Sequence, residues 1–177
     1  MLKFKKTIGG MGRKLQLVKL ANSQTVEVGD VIETYTVGTG TLEAAGLPVL
    51  GVVQAICNSR GIPFKTADVV AGTASGTNVT SQATSTTGIY YALVDISRDT
   101  VYSAAVDGTI GTTVASTLRG CRLNVNSAGT EYGELLESTA TRTPGTAGQF
   151  YSHGVDPEDS TRLLVSIALS ELVSDVD

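Results

Sequence analysis

The sequence predicts an all-β protein, a small β-barrel, β-tulip-like or sandwich domain with an extended N-terminal arm. Three observations carry that expectation. Strand-length segments rich in Val, Ile, Thr and Tyr recur between turns containing Gly, Asp and Ser. No stretch sustains a long apolar period of 3.6 residues. With 20 Gly, no Trp and 5% aromatics, the core must rest on Val, Leu, Ile and Ala in a turn-rich fold. A chain of 177 residues makes one domain, or one domain with an arm.

Residues 1–14 (MLKFKKTIGGMGRK) are expected to form a flexible basic arm, because Gly9, Gly10 and Gly12 favour no regular structure. Residues 15–177 form the β domain. Leu15, Leu17 and Leu20 begin its first strand. Thr25 to Val28 alternates and runs into the turn signal Gly29-Asp30. Val31 to Val37 is a strand broken by Gly38-Thr39-Gly40, and Leu42 to Ala45 precedes Gly46. Val49 to Ile56 is apolar on both faces, as a buried central strand would be. Residues 66–88 are rich in Ala, Gly, Ser and Thr and read as a mobile loop.

Ile89 to Ile96 is the strongest strand; Thr100 to Val106 follows, and Asp107-Gly108 signals a hairpin. A short helix is expected at Thr112 to Leu118. Arg122 to Asn126 alternates, and Ser127-Ala128-Gly129 turns the chain into Tyr132 to Leu136. Thr139 to Gly148 reads as a Thr/Gly/Pro loop. Phe150 to Gly154 is a short strand and Asp156 to Asp159 a turn. The last strand puts Leu163, Val165, Ile167 and Leu169 on one face. The predicted core includes Val52, Ile56, Leu93, Val94, Val125, Leu163, Val165 and Ile167.

Charge is divided unevenly along the chain. Lys3, Lys5, Lys6, Arg13, Lys14 and Lys19 all precede the first acidic residue, Glu27. That leaves seven bases against 17 acids after it, so a +6 segment is followed by a −10 body. Such a segment is attracted to acidic surfaces, and salt weakens the attraction. An acidic body repels nucleic acid, so nucleic-acid contact is disfavoured.

The sequence marks no catalytic or metal chemistry. His153 is the single histidine, which argues against a His-rich metal site. Cys57 and Cys121 lack CxxC partners, so a zinc site is not expected. They read as buried thiols, with one disulfide between them left open. A Ser–His–Asp arrangement would have to use His153, with Asp156 nearby, but GxSxG is missing and nothing marks a nucleophile. GxxxxGK[ST] is missing too. The Asp156-Glu158-Asp159 group reads as a solvated turn in preference to a calcium site. No apolar run approaches the ~20 residues that span a membrane, and no signal peptide is expected. No enzyme activity and no cofactor are expected.

One stretch carries a resemblance. Thr25–Ala55 (TVEVGDVIETYTVGTGTLEAAGLPVLGVVQA) reads as a strand, a Gly-Asp turn, a strand, a variable segment and an apolar VLGVV strand. In this it resembles the head decoration proteins of tailed bacteriophages, also called capsid cement or stabilisation proteins. IYYALVDISRDTVYSAAVDGTI, GCRLNVNSAGTEYGELLES and TRLLVSIALSEL continue the likeness over about Leu15 to Leu172. The basic arm and the 66–88 loop depart from that pattern.

The resemblance implies a non-enzymatic protein on the virion, made in the host cytoplasm and bound to the outside of the capsid. Its partners would be the major capsid protein and copies of itself, a homotrimer being favoured. Alternatives are a tail or head-fibre component of the virion, or a carbohydrate-binding β module. The absence of Trp and of a visible shaft repeat argues against both. The expected partner-binding residues are Lys3, Phe4, Lys5, Lys6, Ile8, Arg13 and Lys14, with Leu2 as a further apolar contact.

Overall fold

The computed structural model describes residues 2–8, 12–20, 25–34, 40–42, 49–63, 79–80, 91–97, 99–106, 119–125, 134–141 and 148–168. These residues are all-β, with no helix among them. The first strands are β1 (Lys3–Thr7), β2 (Leu15–Lys19), β3 (Thr25–Val26), β4 (Val31–Thr34), β5 (Gly40–Leu42), β6 (Gly51–Cys57) and β7 (Val79–Thr80). The later ones are β8 (Tyr91–Asp95), β9 (Thr100–Val106), β10 (Arg122–Val125), β11 (Glu134–Thr141), β12 (Phe150–Asp156) and β13 (Asp159–Ile167).

One sheet curls back on itself. Its pairings run β9-β11-β10-β12-β13 and return from β13 to β9, so five strands form a ring. All the contacts in the ring are antiparallel except β9 with β11, which is parallel. β13 takes one side of β9, pairing with Tyr102 to Ala105. The other side is shared: β1 lies along Thr100 to Ser103, and β11 along Ala105 and Val106.

Alternate residues fill the ring. Tyr102, Ala104 and Val106 of β9 meet Leu123, Val125, Leu135, Phe150, Leu163, Val165 and Ile167, all buried. The N-terminal Leu2, 3% exposed, joins this cluster with Val31, Val49 and Val52.

The second sheet has the order β2-β8-β6-β4-β5, and β3 pairs separately with β7. Its two faces are both used. Val31 and Val52 point into the barrel cluster, whereas their chain neighbours Ile32 and Val53 join Val18, Leu20, Val26, Leu50, Ile56, Ala92 and Val94 in a second core. This explains why Val49 to Ile56 reads as apolar on both faces. The crowding is visible at Gly51, where a Cβ would collide with the Asp95 carbonyl oxygen and lie 2.7 Å from Val94 Cγ1. Only glycine lets β6 approach β8 so closely.

Several expectations need correction. An extended arm over residues 1–14 is not what the described part of that stretch forms. Lys3–Thr7 is a strand on the edge of β9, the Leu2 amide donates to the Gly29 carbonyl (3.0 Å), and the Ile8 amide donates to the Asp99 carbonyl (2.7 Å). Leu2 is therefore core and not a partner contact. Leu93 is only half-buried, while the other seven predicted core residues are buried. The first strand exposes Leu15 and Leu17 and buries Val18 and Leu20. β11 runs on to Thr141, into the expected loop at Thr139 to Gly148, because it pairs with Arg122 there. Cys57 and Cys121 are both buried and no disulfide joins them. The expected helix at 112–118, the hairpin turn at Asp107-Gly108, Leu169, and residues 66–78 and 81–88 of the expected loop lie outside the described residues.

Leu163→Ala removes a side chain that is 0% exposed at the centre of the ring. The expected cost is about 2–5 kcal/mol from lost burial and the cavity left behind, measured by urea unfolding.

Candidate docking face at the N-terminal strands

Each basic residue singled out in the sequence has a definite place. Lys5 is the extra residue of a bulge, since Phe4 pairs with Tyr102 and Lys6 with Val101. Its ammonium reaches the turn between β12 and β13, 3.1 Å from Asp156 Oδ2 and 2.6 Å from Glu158 Oε2. The hydrogen bond to Glu158, then that to Asp156, raises the Lys5 pKa. Asp156 is buried, which alone would raise its pKa; hydrogen bonds from Ser103, the Glu158 amide and Lys5 outweigh this and leave it lowered. Lys5 thus neutralises an acidic turn of its own chain.

Arg13 is likewise engaged at home. Its Nε donates to Asp95 Oδ2 at 2.8 Å, and the guanidinium carbon lies 4.3 Å from the centroid of the Phe4 ring. Asp95 is fully buried and takes two further hydrogen bonds, from the Ser97 amide (3.0 Å) and Thr100 Oγ1 (3.1 Å). Burial pushes its pKa up, but Ser97 and then Arg13 pull it below the usual value. Burial, and then the Asp95 charge, push the Tyr102 phenol up in the same pocket. The Lys14 amide donates to Ser97 Oγ at 2.6 Å, which fixes the start of β2 against the turn from β8 to β9.

What remains exposed along these N-terminal strands is a mixed set of basic and apolar side chains. Lys3, Lys6, Lys14 and Lys19 are exposed and have no ion pair with a described residue. Phe4 (41%), Ile8 (49%), Leu15 (48%) and Leu17 (38%) are exposed with them. Beside β2, Ile62 is 56% exposed, and a Cβ on Gly61 would lie 4.0 Å from Leu17 Cδ1. The structure therefore supports exposure of Lys3, Phe4, Lys6, Ile8 and Lys14, and turns Lys5 and Arg13 inward. It adds Leu15, Leu17, Lys19 and Ile62, which the sequence reading passed over. The signal was present in the contrast between leucines of opposite parity in Leu15 to Leu20.

The turn bearing the resemblance is joined to the N-terminal strand through the Leu2 amide, which donates to the Gly29 carbonyl. Gly29 adopts φ 98°, open to glycine at little cost, and the Asp30 carboxylate accepts from the Glu27 amide at 2.7 Å. Val53 donates to the Asp30 carbonyl (2.9 Å), and Gly29 donates to Val53 (2.8 Å). Burial, and then the Glu27 charge, raise the Asp30 pKa from 3.8 to about 6, against the opposing Glu27 amide.

His153 Nε2 lies 3.0 Å from Ser166 Oγ, and its ring meets Tyr151 edge-on at 5.2 Å. Asp156, the carboxylate the sequence placed near it, is paired with Lys5. Among the described residues no group of three or more His, Cys, Asp or Glu side chains is placed to hold a metal ion. Comparison of the chain with protein-family models, curated proteins and solved structures finds no match.

Arg13→Ala leaves the Asp95 carboxylate buried without its cation. The expected loss is about 3 kcal/mol in urea unfolding, at the low end for a broken buried pair because Arg13 is 27% exposed.

Asp30 gives the protein an inverse pH response. Its folded pKa lies above the unfolded one, so its stabilising contribution is complete below pH 3.8 and lost as pH rises through about 6. The swing is on the order of 3 kcal/mol. Asp30→Asn should match the parent near pH 4 and exceed it in unfolding free energy by up to that amount at pH 7.

Proposed function

We propose that this chain is a non-enzymatic structural protein of a tailed-bacteriophage virion. In this reading it binds the outside of the assembled capsid through its N-terminal face and bridges neighbouring capsid subunits, as a head decoration protein. The observation that carries the reading is the exposed set of Lys3, Lys6, Lys14 and Lys19 interleaved with Phe4, Ile8, Leu15 and Leu17 on a protein of net charge −4. Exposed cations with no ion pair to a described residue, set beside apolar side chains, suit an acidic protein surface: charge steers the encounter and the apolar groups supply affinity. The resemblance over Thr25–Ala55 and the all-β architecture agree with the reading.

The functional logic is mass action. A protein that binds the assembled shell and not its separated subunits stabilises the shell by its binding free energy. Many copies, each holding two subunits, need only modest affinity per contact. A homotrimer and the major capsid protein are the partners this reading names.

Cryo-electron microscopy of virus particles that carry the chain tests the proposal. Density for the β domain at regular positions on the outer capsid lattice is expected; density confined to the tail, or none, overturns it. The double charge reversal Lys3→Glu with Lys6→Glu should weaken particle binding by roughly tenfold at low salt and leave the melting temperature unchanged, since neither lysine makes an internal ion pair with a described residue.

A further inference from the structure

Among the described residues, the second sheet ends in a strand whose outer side is open in two respects. Leu15, Asp95, Val52 and Val31 stand in register across β2, β8, β6 and β4, so they share one face of the sheet. Val31, Val52 and Asp95 are fully buried, whereas Leu15 at the edge of the same row is 48% exposed. In the adjacent row Leu17 faces Leu93, half-buried, and Leu17 is 38% exposed. The sheet therefore extends past its cover, and its last strand is apolar where it does so.

Among the described strands, none pairs with the backbone of β2 along the same edge. The Ile96 amide donates to the Lys14 carbonyl at 3.0 Å. In an antiparallel ladder alternate residues bond to the partner strand, so Gln16 and Val18 continue this pattern toward β8. Leu15, Leu17 and Lys19 then aim their N–H and C=O groups away from it, and no described strand takes them up. An apolar edge of this kind is a template for another strand.

The charges select the strand. Lys14, Lys19 and Arg60 are exposed around Leu15, Leu17 and Ile62, and none has an ion pair with a described residue. A second copy pairing through this same strand would bring like charges to both halves of the interface. We propose that β2 is a β-augmentation site for an extended acidic segment of a partner protein. Alternating apolar side chains of that segment would cover Leu15, Leu17 and Ile62, and its carboxylates would meet Lys14, Lys19 and Arg60. This deepens the docking reading above by naming the pairing strand and the chemistry of its partner.

A peptide experiment separates this inference from capsid binding. The probes are two synthetic ten-residue peptides, one alternating valine with glutamate and the other valine with lysine. Amide hydrogen exchange of the full chain, followed by NMR, is the readout. The glutamate peptide should protect the amides of Leu15, Leu17 and Lys19, with affinity falling as salt rises, and the lysine peptide should not. Leu17→Pro removes an outward amide donor and an exposed side chain but no bond to β8, so the pairing of Gln16 and Val18 with β8 should persist while peptide protection is lost. Lys19→Glu should weaken the glutamate peptide several-fold without blocking the edge. Equal binding of both peptides, protection at other strands, or undiminished binding by Leu17→Pro overturns the proposal. Protection of these amides that grows with protein concentration alone also overturns it, in favour of a second copy. A chain that binds the glutamate peptide as expected but is missing from the capsid lattice keeps this inference and loses the capsid reading.

Discussion

The buried carboxylate of Asp95 is where the two sheets and the N-terminal segment are tied together. A charge in an apolar interior is costly unless hydrogen bonds and a counter-charge surround it. Asp95 obtains its partners from three places: Ser97 in the turn after β8, Thr100 at the start of β9, and Arg13 just before β2. The first two fix the turn by which the chain passes from one sheet to the other. The third draws the N-terminal segment alongside that turn, with Ile8 bonded to Asp99 on one side and Lys14 accepting from Ile96 on the other. Once Arg13 is held there, Phe4 packs beneath its guanidinium, β1 lies on β9, and Lys5 is brought to the acidic turn at Asp156. Arg13 Nη2 stays buried without a hydrogen-bond partner, so the pair is single-pronged and not the bidentate fork that arginine can form.

This arrangement changes the meaning of the charge division. A count along the chain gives the sign of the first 26 residues but not their partners. Asp156 and Glu158 lie more than 150 residues from Lys5, and Asp95 lies 82 from Arg13. Part of the basic charge is consumed in holding the protein together. The remaining part stays exposed: Lys3 and Lys6 are exposed on the same strand from which Lys5, the extra residue of the bulge, turns to the acidic turn. Electrostatics that looks like a recognition signal thus serves architecture first.

Strands whose sequence carries its own pattern were readable. β13 alternates cleanly, and Leu163, Val165 and Ile167 are buried as that alternation requires. β6 is apolar on both faces because it lies between two cores. β1 was not readable, since a strand of lysines with one phenylalanine shows no apolar period and sits beside glycines. Its order comes from β9, about 95 residues away, and such pairing leaves no local trace. The same reason hides the parallel contact of β9 with β11 and the continuation of β11 to Thr141. The exposure of Lys3, Phe4, Lys6, Ile8 and Lys14 was legible from charge and chain position. Leu15 and Leu17 were mistaken for ordinary strand residues, because alternation shows that two faces differ but not which of them is covered.

The ring of five strands also sets an order of events during synthesis. β9 can receive β1 early, because that strand is already made when β9 appears. Its opposite side must wait for β13, the last strand of the ring to emerge, which pairs with β9 through Arg162 to Val165. Until then β9 is a β-edge lined by Val101, Ala104 and Val106, and the interior of the ring is open to water. A topology with so distant a closing contact folds late and slowly, and its incomplete form is prone to adhere to other chains. Pauses or truncations before β13 would therefore release a sticky half-ring, while the finished protein keeps that same strand paired on both sides.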